Sequence, residues 1–259
     1  MAERMKLKAD VAVLYQDPDL LVVSKPSGLP TVPDGYDADS PYLAGLLEPT
    51  FGQLWVVHRL DRDTSGLVVL ARSAETHRAL NQQFQEHDVD KVYHALVLGD
   101  PVWSDRTVSA PLRIDADRQH RTIVDLDSGK PSVTQFRVLE RFAAPAVRYA
   151  LVQAMPRTGR MHQIRVHLGT LGMAVAGDAL YGQGEPILLS AIKRRYRTGE
   201  ELEQPLMGRL GLHALRITIA HPATGEAHTF VAPYPKDFTA TLNQLRKHMA
   251  WQQQPNHLS

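Results

Sequence analysis

The chain has 259 residues, 29 Lys and Arg against 28 Asp and Glu, a net charge of +1 and no cysteine. This length can build one sizeable domain or two small ones, and a near-neutral charge gives no bulk attraction to nucleic acid. The absence of cysteine excludes disulfides, thiolate catalysis and sulfur-based zinc sites. It suits a reducing cytoplasm, and no stretch has signal-peptide or membrane-span character.

Residues 1–9 read as a flexible polar tail and Val11-Ala12-Val13-Leu14-Tyr15 as a first strand. Gln16-Asp17-Pro18-Asp19 supplies a turn and Leu20-Leu21-Val22-Val23 a second strand, which predicts a hairpin. Lys25-Pro26-Ser27-Gly28-Leu29-Pro30 breaks the pattern with two prolines, and Lys25 by itself reads as a solvated lysine before a turn. Residues 31–50 carry Pro33, Gly35, Pro41 and Pro49 and read as loop, with one short helix near 42–47.

After Trp55-Val56-Val57 comes His58-Arg59-Leu60-Asp61-Arg62-Asp63-Thr64-Ser65-Gly66, which runs straight into the apolar strand Leu67-Val68-Val69-Leu70-Ala71. A loop that only connects favours small turn-formers. This one places carboxylates, guanidiniums, an imidazole and hydroxyls on a segment fixed by a buried strand, as active sites often do. The plain alternative is a local turn bond from Asp61 or Asp63 and two solvated arginines.

Ser73 can cap a helix with Glu75 in its first turn. Leu80 and Phe84 share its apolar face, and the helix should fade by Asp88. Lys91-Val92-Tyr93-His94-Ala95-Leu96-Val97-Leu98-Gly99 alternates as a strand. Residues 100–130 are polar and turn-rich and predict an antiparallel meander. Strands follow at Ser132-Val133-Thr134-Gln135-Phe136-Arg137-Val138-Leu139 and Arg148-Tyr149-Ala150-Leu151-Val152-Gln153-Ala154.

Pro156-Arg157-Thr158-Gly159-Arg160-Met161-His162-Gln163-Ile164-Arg165-Val166-His167-Leu168 predicts a helix that opens at Thr158 or Gly159 and stops at Gly172. His162 and Arg165 would share a face. His162 and His167 would lie about 140° apart on the helical wheel, a poor metal pair.

Gly177-Asp178-Ala179-Leu180-Tyr181-Gly182 follows, and residues 183–209 read as an insertion. Its basic run Lys193-Arg194-Arg195-Tyr196-Arg197 reads either as a solvated loop or as a phosphate clamp around a stacking ring. Glu200, Glu201 and Glu203 dilute its field. Leu212-His213-Ala214 opens the last strands, Ala220-His221-Pro222-Ala223-Thr224-Gly225-Glu226 turns them, and Thr229-Phe230-Val231-Ala232 returns. Residues 237–249 predict a helix with Phe238, Leu242 and Leu245 on one face, and 250–259 a flexible tail. Many short strands, few helices and long loops predict an α+β fold with a largely antiparallel sheet, in a single domain over residues 10–249.

Several of these stretches, in this order, resemble the RluA-type family of RNA pseudouridine synthases. The resemblance covers roughly residues 10–238: Lys-Pro-x-Gly at 25–28, His-Arg-Leu-Asp with Thr-Ser-Gly at 58–66, and Lys-x-Tyr-x-Ala at 91–95. Gly-Arg-x-His-Gln-Ile-Arg-x-His at 159–167, the Gly-Asp segment at 177–182 and the Leu-His-Ala to His-Pro hairpin complete it. One such match is a weak signal, and ordered ones are specific. Where the family has threonine between Arg and His this chain has Met161, which removes one hydroxyl. The nine residues ahead of the first strand cannot hold the small S4-type RNA-binding domain of many members, so that module is expected to be absent.

The resemblance implies a bifurcated mixed sheet, with flanking helices and loops and a cleft across its middle. It implies isomerisation of uridine to pseudouridine in ribosomal or transfer RNA, with the base detached at N1, turned and rejoined through C5. No atom is gained or lost, so neither cofactor nor metal is expected. The target base must leave its stack to be reached. Asp61 is the implied catalytic carboxylate, as nucleophile at the ribose or as base, and the residues leave both open. Arg165 would be its charge partner and Tyr93 would lie against the uracil. Arg59 would fill the space left by the flipped base, and Asp63 falls at a permissive position. His58, Arg62, Arg160 and His162, with Lys193, Arg194 and Arg195 of the basic run in its clamp reading, complete the candidate RNA- and base-binding set. The expected partner is RNA, with no membrane, and the expected state is a monomer. Two other classes are a hydrolase with Asp61 as general base, which needs a second acid or a metal, and an RNA-binding protein with a dead site.

Overall fold

The computed structural model describes residues 11–33, 40–144, 147–193, 196 and 202–253. The expected tail at 1–9, Arg194, Arg195, Glu200, Glu201 and residues 254–259 lie outside them.

Strands β1 (Ala12–Gln16) and β2 (Leu20–Lys25) form the expected hairpin. Asp17 builds its turn, since Oδ1 accepts the N–H of Asp19 at 2.8 Å and of Leu20 at 2.6 Å. Helix α1 (Leu43–Phe51) runs through Pro49 and ends at Gly52, whose φ of 76° only glycine adopts readily. Short β3 (Trp55–Val56) precedes β4 (Ser65–Ala71), which is buried along its whole length. Ser73 caps α2 (Ala74–Glu86) by accepting the Thr76 N–H at 3.1 Å. β5 (Asp90–Leu98) comes next, and residues 100–130 do not form the expected meander: β6 (Asp105–Ser109) pairs with a later strand, while β7 (Leu112–Arg113) and β8 (Ile123–Val124) pair as a two-stranded sheet of their own. Long β9 (Val133–Ala143) and β10 (Arg148–Pro156) follow. Helix α3 (Gln163–Thr170) starts later than its sequence suggests, because His162 sits at φ 55° and interrupts any earlier turn. Then come α4 (Leu189–Ile192), β11 (Leu212–Ala220), β12 (Ala227–Val231), α5 (Lys236–His248) and β13 (Ala250–Gln253).

Residues 10–249 read as one domain in the sequence. The chain packs as two compact units, Met1–Val92 with His213–Tyr234 and Tyr93–Leu212 with Pro235–Ser259.

In the first unit β2 lies antiparallel between β1 and β4, in a register running from Leu20 opposite Ala71 to Lys25 opposite Gly66. The other edge of β4 is shared. β11 joins it in parallel at Ser65 and Gly66, and β3 joins it antiparallel at Leu70 and Ala71. The sheet therefore forks along β4. Gly66 permits the close approach: its φ is 117°, and a Cβ there would lie 2.2 Å from the Ala214 carbonyl oxygen. Leu20, Val22, Leu67, Val69, Leu80 and Phe230 form the core. Each buried side chain of this kind contributes about 1.5–3 kcal/mol.

In the second unit β5 pairs β10, β10 pairs β9, and the far edge of β9 takes both β6 and β13. Val97, Phe136, Val138, Val152 and Leu168 make its core, and α5 buries Phe238, Leu242 and Leu245. Residues 250–253 do not belong to a flexible tail: β13 covers the free edge of β9, where backbone groups would otherwise lack partners. Arg246 and Trp251 both donate to the Glu140 carboxylate, at 2.6–2.8 Å. Among the described residues of 183–209, Ile187, Ile192 and Met207 are buried.

The sheet is mostly antiparallel, with a short parallel contact between β4 and β11, and the helices are few, which is the expected α+β class. Among the described residues no helix is long and apolar enough to cross a membrane.

Candidate active site

Asp61 lies in the loop between β3 and β4, and its surroundings in the first unit explain how that loop keeps its shape. Lys25 is only 1% exposed. Its ammonium donates to the carbonyls of Pro26 at 3.0 Å, Leu29 at 2.7 Å and Arg62 at 2.9 Å. A buried cation is tolerated only with such partners. The solvated lysine read from the sequence is thus the internal post on which two loops hang. Further bonds join the same loops. The Gly28 N–H donates to the Arg62 carbonyl, the Ser27 hydroxyl to the Asp63 carbonyl, and Arg62 Nε to the Gly28 carbonyl. The Leu60 N–H donates to Thr31 Oγ1, whose hydroxyl returns a bond to the Leu60 carbonyl, both at 3.1 Å. The Thr64 N–H closes a turn on the Asp61 carbonyl at 3.1 Å. Asp61 therefore stands on a backbone pinned from both sides and followed by a buried strand.

Ser65 and His213 brace the start of β4. His213 Nε2 lies 3.2 Å from the Ala232 carbonyl, which can only accept, so this nitrogen carries the proton. Nδ1 is left to accept the Ser65 hydroxyl at 3.0 Å. His58 is engaged inside the unit. Its Nε2 accepts the Val69 N–H at 3.0 Å and its ring stacks on Phe84. Burial, with the Lys91 charge nearby, pulls its pKa down to about 3. It is a neutral acceptor that anchors the signature to β4. Arg59 and Arg62 are exposed.

In the second unit Tyr93 lies on β5 opposite Ala154 of β10, partly buried against the core. The loop before α3 is organised by Gln163. Its Oε1 accepts the Thr158 hydroxyl at 2.7 Å and the Arg160 N–H at 3.0 Å, and its Nε2 donates to the Val133 carbonyl and to Thr134 Oγ1. Arg165, on α3, is 7% exposed and gripped by Asp178: Nε donates to Oδ2 and Nη2 to Oδ1, each at 2.7 Å. Burial pushes the Asp178 carboxyl up, but the Arg165 bonds and charge, with the N–H groups of Tyr181 and Leu180, hold it below the usual range. The Arg165 guanidinium also lies 4.9 Å from the centre of the Tyr181 ring.

Tyr181 extends this network. Its oxygen accepts the Thr122 N–H at 2.7 Å and lies 3.1 Å from the Thr122 carbonyl and 3.0 Å from His162 Nδ1. His162 thus opens α3 and is held by Tyr181. His167 points elsewhere, with Nδ1 on Thr134 Oγ1 and Nε2 on the Ala110 carbonyl, and burial lowers its pKa. Among the described residues the grouping with metal-ligand spacing is Asp17, Asp19 and His221. There Asp17 Oδ2 already takes the Tyr15 hydroxyl at 2.7 Å and His221 at 2.8 Å, so the group ties two turns together.

The first unit thus carries Asp61 with His58, Arg59 and Arg62, and the second carries Tyr93, Arg160, His162, Arg165 and Lys193. Lys193 ends α4, its ammonium 5.9 Å from the centre of the Tyr196 ring. Lys25 and Asp178 were not in the expected set. Only the Gly-Asp-x-x-Tyr-Gly order hinted at Asp178, since a lone aspartate in a turn has a sufficient local role.

The profile of a family described as RNA pseudouridylate synthase matches residues 19–170. Ribosomal large subunit pseudouridine synthase D of Pseudomonas aeruginosa is 36% identical over 244 residues, 92% of this chain and 72% of the relative. Dual-specificity RNA pseudouridine synthase RluA of Salmonella typhi is 36% identical over 223 residues, 86% of this chain and 93% of the relative. Among solved structures, human RNA Pseudouridylate Synthase Domain Containing 1 superposes with a TM-score of 0.70 at 26% identity, covering 96% of this chain and 92% of the other. A buried-strand loop bearing His-Arg-Leu-Asp, with family identity along most of its length, places this chain in the RNA pseudouridylate synthase family, as an enzyme that isomerises uridine in RNA.

Proposed function

We propose that the chain converts specific uridines in structured ribosomal or transfer RNA to pseudouridine, with Asp61 as the catalytic carboxylate and the target base turned out of its stack. The observation that carries this reading is the pinned loop. Lys25, Thr31 and the Gly28 backbone fix the chain on either side of Asp61, and a reacting carboxylate needs such placement. Asp61 acts at the ribose, as nucleophile or as the base that takes a proton from it. Tyr93 lies against the detached uracil and can move a proton. Arg165 supplies the cation that accompanies Asp61, and Arg59 occupies the gap in the RNA stack. Arg62, Arg160, His162 and the basic run at 193–197 hold the RNA. His58 supports the loop from within, since its Nε2 is spent on Val69.

Tritium at C5 of uridine is released when C5 becomes the glycosidic carbon, so its release measures the reaction directly. Asp61→Asn, nearly isosteric, should lower release by at least about 1,000-fold while the protein still folds and binds RNA. Near-normal release would remove Asp61 from the mechanism. Mapping pseudouridine in cellular RNA with and without the gene then names the RNA and the uridine.

A further inference from the structure

A pocket of about 250 Å³ opens on the second unit, lined by Leu112, Arg113 and Ile114, by Lys130, and by Arg160 and Met161 of the loop before α3. The size suits one small planar group with a charged appendage, below the roughly 300–1,000 Å³ of drug-sized sites.

The charges on its wall are unevenly matched. Arg113 Nε is taken by Asp125 at 2.6 Å. Among the described residues neither the Lys130 ammonium nor the Arg160 guanidinium has an ion pair, and Arg160 Nε is buried without a hydrogen-bond partner. A buried N–H in that condition is an opening for an acceptor. Apolar surface stands beside it: Leu112 is buried beneath, Ile114 is 51% exposed, and Met161 adds a thioether. Two unmatched cations next to an apolar wall fit a phosphate joined to a flat ring.

We propose that this pocket holds an unpaired nucleotide of the RNA substrate, outside the target uridine. Its phosphate lies between Lys130 and Arg160, and its base rests on Ile114 and Met161. The proposal rests on the reading of the chain as an RNA-modifying enzyme. Met161 offers no hydroxyl to a base edge, so the pocket takes the base by its face and has little sequence preference.

The test is the salt dependence of binding to a short, unstructured single-stranded RNA of mixed sequence and to the same sequence in a duplex. Each neutralised phosphate contributes about 0.7 to the log–log salt slope on single strands, so Lys130→Gln with Arg160→Gln, which together release one phosphate, should flatten it by about 0.7. Ile114→Ser, a change at an exposed side chain, should weaken single-strand binding about fivefold with the slope unchanged and leave duplex binding as it was. An unchanged slope in the double variant overturns the phosphate contact. An equal effect of Ile114→Ser on both RNAs, or none on either, overturns the base contact. Wild-type protein that gives the binding responses but releases no tritium would overturn the enzymatic reading and leave the pocket standing. Tritium release with an unchanged slope would overturn the pocket alone.

Discussion

Asp178 holds Arg165 through two parallel bonds of 2.7 Å, with its carboxylate 1% exposed and also accepting the N–H groups of Leu180 and Tyr181. The guanidinium edge bearing Nε and Nη2 is thereby fixed, and the orientation of the side chain follows from a carboxylate whose hydrogen bonds, among the described residues, go to Arg165 and to its own turn. Asp178→Asn should cost about 3–5 kcal/mol of stability by leaving a buried charge uncompensated. Tritium release should fall about 100-fold through misplacement of the cation. Adding Arg165→Met to Asp178→Asn should restore most of the stability and none of the activity. Thermal midpoints and tritium release on the same preparations check both halves, and a double variant as unstable as the single would show that Asp178 matters for its turn alone.

Lys25→Met keeps the length of the side chain and removes the donor shared by Pro26, Leu29 and Arg62. Each carbonyl left without a partner costs about 1–3 kcal/mol, so the variant should lose at least about 3 kcal/mol in urea unfolding. Activity at saturating RNA should also fall, because the Asp61 loop loses its post. Full stability would show that water replaces the ammonium.

Gly66→Ala tests the fork of the sheet. The added Cβ would stand 2.2 Å from the Ala214 carbonyl oxygen, at a φ of 117° that L-residues avoid. The loss should exceed about 3 kcal/mol, from strain and a displaced β4–β11 contact together. Ser65, next in the chain and bonded to His213, would move with it, so amide exchange at 65–67 should rise.

The Asp17 carboxyl gives the first unit one source of acid dependence. Burial raises its pKa, but the Tyr15 hydroxyl, the Leu20 N–H, His221 and the Asp19 N–H together hold it at about 2, against 3.8 in the unfolded chain. The folded form binds its proton less readily. Stability from this group is therefore complete above about pH 4 and is lost as pH falls through about 2, on the order of 2 kcal/mol. Asp17→Asn should be less stable than wild type near neutrality and equal to it near pH 2. Urea midpoints across that range decide it, and a constant gap would refute the assignment.

Much of this protein is legible in local sequence. The Asp-Pro-Asp turn, the Ser73 cap, the alternation along β5 and the apolar face of α5 each depend on residues within a few positions of one another, where propensity and periodicity operate. The His-Arg-Leu-Asp segment and the motifs after it single out Asp61, Tyr93 and Arg165 as candidate site residues through their resemblance to the family. Partners far apart in the chain were decided only by tertiary structure. Lys25 reads as a solvated cation until Arg62, from a different loop, supplies a carbonyl and the ammonium is enclosed. His58 reads as a ligand for RNA until the Val69 N–H claims its nitrogen. The strand at 250–253 has no strong pattern of its own and exists because β9 offers an unpaired edge. Hydrogen-bond demand inside a fold is met by whichever group the topology brings near, and no window of sequence contains that information.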